Sequence, residues 1–314
     1  MVITKTEIKI TQKPDLSINL GKLRLKNPIT TASGTFGYAD EFQDFVDVSS
    51  IGAIVTKGIT LKPRKGNPQP RLKELRNGMI NSIGLENIGI NAFIEKKLPI
   101  LQEKDITFIV NVAGFALEEY IKIASICETN GIKAIELNVS CPNVKEGCLE
   151  FGTSSEILYR LVSMVKEIFT GTVIVKLTPN VTDPVPLAIS IEKAGADAIS
   201  AINTVRGLDV SVSFENGRLT KKLLKGGMSG PAIKPVALNY INTISHEINI
   251  PVIGMGGIMH FNDMLEFIAV GSTAIQIGTA NFTYPGIAGD LIESLEQFLI
   301  NNNIPSYENL IKGV

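Results

Sequence analysis

The residues with the clearest chemistry are Asn138-Val139-Ser140-Cys141-Pro142-Asn143, where amides, a hydroxyl and a thiol crowd the end of an apolar run. Most cysteines are small buried hydrophobes. Cys127 fits that description, because it lies inside a helical apolar stripe. Cys141 does not, because Pro142 stops the run and its neighbours are polar. A thiol, with a free pKa of about 8.5, can serve as nucleophile or general base near neutral pH. Two lysines end other apolar runs, Lys57 in Thr56-Lys57-Gly58 and Lys176 in Val175-Lys176-Leu177. An ammonium group there must pair with an anion, lose its proton or snorkel to water. Asn111, Asn203 and Thr204 end two further runs, and amides suit a flat heterocycle because they both donate and accept. Gly254-Met255-Gly256-Gly257 and Gly278-Thr279-Ala280-Asn281 offer glycine backbone to an anion, and Gly226-Gly227-Met228-Ser229-Gly230 forms a third glycine cluster that reads as a close approach, a hinge or a plain loop.

Eight short apolar runs bounded by Gly, Asn or Pro must position these groups: Ile29–Ser33, Ala53–Lys57, Thr107–Val112, Ala134–Ser140, Val173–Leu177, Ala198–Asn203, Val252–Met255 and Ala274–Ile277. Their nearly continuous apolarity is that of parallel strands covered on both faces. Amphipathic segments separate most of them: Leu117–Asn130, with Leu117, Tyr120, Ile121, Ala124 and Ile126 as its stripe, Ser154–Phe169, Pro184–Ala194 and Ile233–Ile248. The alternation predicts a single α/β domain over residues 1–314, a (β/α)8 TIM barrel, with a doubly wound open sheet as the other solution. Ser17–Leu20 and Leu23–Leu25, bent at Leu20-Gly21-Lys22, predict an N-terminal hairpin under the barrel. Two connections exceed plain βα units: Gly58 to Asp105 after strand 2, which reads as an irregular solvated loop, and Thr204 to Ser229 after strand 6, with an Asn216-Gly217 hairpin signal. Both leave the strand ends where barrel active sites form, and the glycine sites after strands 7 and 8 fall where barrels bind phosphate.

Composition narrows the function. The chain has 314 residues, 30 Lys+Arg against 31 Asp+Glu, and a net charge of −1, which argues against nucleic acid as the main partner. Three cysteines (Cys127, Cys141, Cys148) form no disulfide framework and predict a reducing, cytoplasmic setting. The first 28 residues lack a signal-peptide core, and no run reaches membrane-spanning length. His246 and His260 have no metal-ligand spacing, and no GxGxxG is present.

A barrel mouth with a phosphate site, two lysines, several amides and a thiol suits FMN, where a lysine would stabilise negative charge on the reduced ring. A Schiff-base aldolase using Lys176 is a rival reading, and a binding barrel without turnover is a third.

Five co-linear motifs add a resemblance: Asn81-Ser82-Ile83-Gly84-Leu85, Asn138 to Lys145, Val175 to Asn180, Ser229-Gly230-Pro231-Ala232-Ile233-Lys234-Pro235 and Ile253 to Gly257. From Asn27-Pro28 to the C-terminal helix, the chain resembles class 1 dihydroorotate dehydrogenases, most of all the catalytic subunit of class 1B. The resemblance implies that Cys141 takes a proton from C5 of dihydroorotate while hydride leaves C6 for FMN, giving orotate for pyrimidine synthesis. It implies substrate contacts at Lys57, Asn81, Ser82, Ile83, Gly84, Leu85, Asn138, Asn203 and Thr204. The flavin ring would meet Ser33, Lys57, Gly58, Asn111, Asn138, Lys176 and Ile202, and its phosphate end Gly230, Gly256, Gly257, Gly278 and Thr279. It further implies a homodimeric core joined by a subunit carrying FAD and a [2Fe–2S] cluster that passes electrons to NAD. A class 1A enzyme would instead use fumarate directly. The chain departs from the family pattern at Cys148, where a glycine is usual, and at Ile88, where a proline is usual.

Overall fold

The computed structural model describes residues 13–139 and 151–313. Cys141 and Cys148 lie outside the described residues. Eight strands close into a parallel barrel: β3 (Ile29–Thr31), β4 (Ala53–Val55), β7 (Phe108–Val112), β8 (Ala134–Asn138), β9 (Thr172–Lys176), β10 (Ala198–Ala201), β13 (Val252–Met255) and β14 (Ala274–Ile277). Each falls on one of the eight apolar runs, and β14 pairs with β3 to complete the closure. Every residue of these strands but Phe108 is buried. That follows from helices packed outside and side chains filling the inside, and it leaves the open-sheet alternative without support.

The flanking helices include Leu117–Thr129, Ser155–Ile168, Val185–Lys193 and Lys234–Ser245. On Leu117–Thr129 the buried face is Tyr120, Ile123, Ala124 and Cys127: Tyr120 and Ala124 are buried as the stripe predicts, while Leu117, Ile121 and Ile126 are only partly buried and Ile123 and Cys127 take their place. The Tyr120 hydroxyl donates to the Asn138 carbonyl at 2.9 Å, which ties this face to the end of β8. Burial pushes the Cys127 thiol up to about 12, which makes it an inert core residue.

The N-terminal hairpin, β1 (Ile18–Leu20) and β2 (Leu23–Leu25), closes the end of the barrel away from the mouth. It is tied there by one side chain at the start of β9. The Thr172 hydroxyl accepts from the Lys22 and Leu23 amides at 3.1 and 3.0 Å and donates to the Leu20 carbonyl at 3.0 Å. Leu20 and Leu25 are fully buried against the core.

The long connections are not loops. The first holds β5 (Leu72–Leu75), β6 (Gly78–Asn81) and helices Ile90–Lys96 and Leu98–Glu103. The second is a hairpin of β11 (Val205–Glu215) and β12 (Arg218–Ser229), turned at Asn216 and Gly217, both with positive φ. Together they make one antiparallel sheet in the order β11-β12-β6-β5. Gly226 and Gly227 are therefore strand residues rather than a hinge. A Cβ on either would run into the Asn81 carbonyl or the Thr204 hydroxyl, so glycine lets the strands meet.

Replacing Thr172 with valine keeps the shape and leaves the buried Leu23 amide and the part-buried Lys22 amide without this acceptor. Thr172→Val should lower unfolding free energy by about 1–3 kcal/mol in urea titration, with ligand binding at the far mouth unchanged.

Candidate active site

A cavity of about 400 Å³ opens at the C-terminal ends of the barrel strands, beneath the four-stranded sheet. This is the size range of small-ligand and cofactor sites. Its wall takes Ser33 after β3, Lys57 and Gly58 after β4, Asn138 and Lys176 at the ends of β8 and β9, and Ile202, Asn203 and Thr204 after β10. Gly256 and Gly257 follow β13, and Gly278 and Thr279 follow β14. The excursions contribute Asn81, Ile83, Gly84 and Leu85 from one side and Gly230 from the other. Two residues singled out by sequence do not line the cavity. The Ser82 hydroxyl accepts from the Asn67 amide at 3.1 Å, and Asn111 lies fully buried beneath the floor.

The segment Ile83-Gly84-Leu85 is shaped by its backbone. Gly84 and Leu85 have φ of 76° and 58°, and a Cβ on Gly84 would fall 2.7 Å from the Asn67 side chain. A leucine held in the left-handed region is a strain that persists only where surroundings enforce it. Asn87 supplies that enforcement: its amide donates to the Leu85 carbonyl at 2.7 Å and to the Thr60 hydroxyl at 2.8 Å, while its oxygen accepts from the Gly89 amide at 2.8 Å. The departure at Ile88 is also used, since its N–H donates to the Tyr38 hydroxyl at 3.5 Å, which a proline could not do. The second excursion is pinned at its base by Asn180, whose side chain donates to the Thr204 carbonyl at 3.1 Å and accepts from the Arg206 amide at 2.9 Å. Across the mouth, Thr279 donates to the Ser229 hydroxyl at 2.7 Å.

Under the floor sits a residue that the sequence reading passed over. Glu136 is fully buried in the middle of β8 and points into the barrel network. Its carboxylate accepts from Asn111 at 2.6 Å, Ser200 at 2.9 Å and Gln276 at 3.0 Å, and lies 3.7 Å from the Lys176 ammonium. Lys176 is only 4% exposed, so this carboxylate is the counter-ion that its position requires. The Lys176 side chain is thus engaged by the network under the floor, an arrangement that serves a fixed charge partner better than a free amine and counts against the Schiff-base reading. Lys57 is half-buried at the same mouth, and its ammonium makes no hydrogen bond or ion pair among the described residues. The acid inside the otherwise apolar run Ala134-Ile135-Glu136-Leu137 is the signal available in the sequence. The cavity also takes Met255 from the glycine motif, and Arg71, Met79, Glu86, Met259 and Phe282, which no motif marked; Arg71 and Glu86 form an ion pair at its edge.

The glycine end fits a phosphate-bearing ligand. Gly256 and Gly257 have φ of 124° and 82°, and a Cβ on Gly257 would fall 2.8 Å from the Lys234 Cβ and 3.0 Å from the Gly230 carbonyl. Only glycine gives this bare backbone surface. The Lys234 ammonium is occupied by Asp263 at 2.6 Å and Glu266 at 2.7 Å, and these hydrogen bonds raise its pKa. It therefore braces the cradle from behind, while backbone lines the cavity. The donor set fits FMN: a glycine cradle for phosphate at one end, and amides and lysines for a heterocycle at the other.

Fold and site together define a (β/α)8-barrel enzyme whose mouth is built for a phosphorylated heterocyclic cofactor beside a small polar substrate. The profile of the dihydroorotate dehydrogenase family matches residues 15–299. The chain is 47% identical over 301 residues to the catalytic subunit of dihydroorotate dehydrogenase B (NAD(+)) of Geobacter sulfurreducens, covering 96% of this chain and 98% of that protein. It is 47% identical over 300 residues to the subunit of the same name from Trichlorobacter lovleyi, with 95% and 98% covered. For the one from Thermoanaerobacter sp. the identity is 46% over 297 residues, with 95% and 98% covered. The chain belongs to the dihydroorotate dehydrogenase family, and its similarity to these B-type subunits places it in class 1B.

Gly257→Ala should reduce FMN affinity about tenfold or more, because a side chain at positive φ strains or displaces the cradle. Titration of the apoprotein with FMN, followed by flavin fluorescence, measures the loss; unchanged affinity would remove Gly257 from the cofactor site.

Proposed function

We propose that this chain is the catalytic subunit of an NAD-linked dihydroorotate dehydrogenase, oxidising dihydroorotate to orotate in pyrimidine synthesis. The observation that carries this reading is the convergence at one cavity of Lys57, Lys176, Asn138, Asn203 and the glycine cradle, in a chain 47% identical to a subunit of that name. FMN, when bound, supplies the acceptor for the hydride that leaves C6. Gly230, Gly256, Gly257, Gly278 and Thr279 would hold its phosphate end, and Ser33, Gly58 and Ile202 would border its ring, with Asn111 buried behind them rather than at the cavity surface. Lys176, balanced by Glu136, offers positive charge to the ring edge where reduction places negative charge. Asn81, Asn138, Asn203 and Thr204, with the Ile83–Leu85 segment, would hydrogen-bond the pyrimidine and its carboxylate, and Lys57 would supply charge to both ligands; Ser82 supports that segment through Asn67 instead of reaching the substrate.

Cys141 is the proposed base. In the sequence it stands three positions after Asn138, the last residue of β8 and part of the cavity wall. Removal of the C5 proton by its thiolate accompanies loss of hydride from C6, so the substrate gives up one proton and two electrons in forming the double bond. Electrons would then pass through a partner subunit carrying FAD and [2Fe–2S] to NAD. A homodimeric core binding two such subunits, the whole chain as one barrel domain, and a cytoplasmic setting complete the proposal. No helix among the described residues is long and apolar enough to cross a membrane, consistent with that setting.

The FMN-loaded chain should be yellow and should bleach when mixed anaerobically with dihydroorotate. A protein that takes up no FMN, or that takes it up and never bleaches, overturns the proposal. Cys141→Ala should keep its FMN and slow bleaching by about 10²–10⁴-fold, the usual worth of a positioned base; bleaching at the wild-type rate would remove Cys141 from that role.

A further inference from the structure

Four amide and carboxylate side chains form a continuous line from the barrel core to the cavity. Glu136 is fully buried and Asn111 is fully buried above it; Asn138 and Asn203 line the cavity. Asn111 Nδ2 donates to Glu136 Oε1 at 2.6 Å. Asn138 Nδ2 donates to Asn111 Oδ1 at 3.3 Å, and Asn203 Nδ2 donates to Asn138 Oδ1 at 3.5 Å. At the far end, Asn203 Oδ1 accepts from the Thr204 amide at 2.7 Å.

An amide is chemically two-faced, and on its own each asparagine could be turned the other way. A carboxylate is not, because it only accepts. Glu136 is held in that form of partner by three donors and the Lys176 ammonium. Asn111 must therefore turn its NH2 downward and its oxygen upward. Its oxygen then takes the NH2 of Asn138, which turns the Asn138 oxygen toward Asn203, and the Thr204 amide holds the Asn203 oxygen from the other side.

We infer that Glu136 is a positioning residue that sets the donor–acceptor polarity of the substrate-facing amides through the relay Glu136–Asn111–Asn138–Asn203. It touches no ligand. Its effect is to give the cavity a fixed hydrogen-bonding pattern that selects a ring with an N–H and C=O edge of matching order, such as the ureide edge of dihydroorotate or orotate. The inference rests on the proposed substrate. A glutamine in place of Glu136 can donate as well as accept, so the relay can reverse, and the cavity then presents the wrong pattern to the same ring. Lost pairing of buried polar groups discriminates far more strongly than lost apolar contact.

The test compares Glu136→Gln with wild type, both loaded with FMN, in titrations with orotate and with benzoate followed by flavin absorbance. Benzoate keeps a planar ring and carboxylate but has no ring amide. The relay predicts that orotate affinity falls about tenfold or more while benzoate affinity stays within about twofold and FMN content is kept. Equal loss for both ligands would mean a loosened site, and no loss for either would mean an idle carboxylate; each overturns the inference. If wild type itself binds FMN but not orotate, the proposed function fails instead. Should the variant not fold, an atomic-resolution crystal structure of wild type decides the point by distinguishing amide nitrogen from oxygen. Asn111 with its oxygen toward Glu136 would refute the relay.

Discussion

A carboxylate in the middle of a hydrophobic barrel is the constraint on which the site depends. Glu136 joins β8 to β7 through Asn111, to β9 through Lys176, to β10 through Ser200 and to β14 through Gln276. Five of the eight barrel strands thus meet at one side chain. A buried charge is costly unless paired and hydrogen-bonded, so no member can be removed without leaving another unsatisfied. This polar plug occupies the layer of the barrel directly under the cavity and takes the place of the branched apolar residues that usually fill such a layer. It is what gives a lysine that stands almost fully buried at the floor an anionic partner.

Around that centre the two ends of the barrel are built differently. The bottom is closed by a short hairpin through a single threonine and a few leucines, which is a packing solution. The top is covered by a sheet assembled from both long excursions and kept in place by side-chain amides and hydroxyls, Asn87, Asn180 and Ser229 with Thr279. Polar ties suit the mouth, because they hold irregular backbone such as the left-handed Gly84 and Leu85 close to a ligand without filling the cavity with side chains.

Much of this was legible in the sequence. The barrel strands read clearly because a parallel strand covered on both faces is apolar throughout, and all eight runs became strands. Most of the site was legible for a related reason: amides, lysines and glycines at the ends of apolar runs have no good structural use there. Glu136 escaped because the same near-continuous apolarity hides which residues point inward. The face of Leu117–Thr129 is legible only in part, because Ile121 and Ile126 are as apolar as the buried Ile123, and packing against the barrel decides which of them is covered.

The sequence by itself determined the order of the barrel strands, the α/β class and the family, since these rest on local periodicity and on motifs whose residues lie together in the chain. Only the tertiary structure decided that the first excursion is half of a sheet. Its partner β12 lies more than a hundred residues away, and strand register across such a distance is set by packing and by glycines that let the backbones meet. Only the tertiary structure, too, could bring Glu136 under Lys176 and order the amides above it. The direction of a hydrogen-bonded line is a property of which atoms touch, and one-dimensional spacing does not carry it.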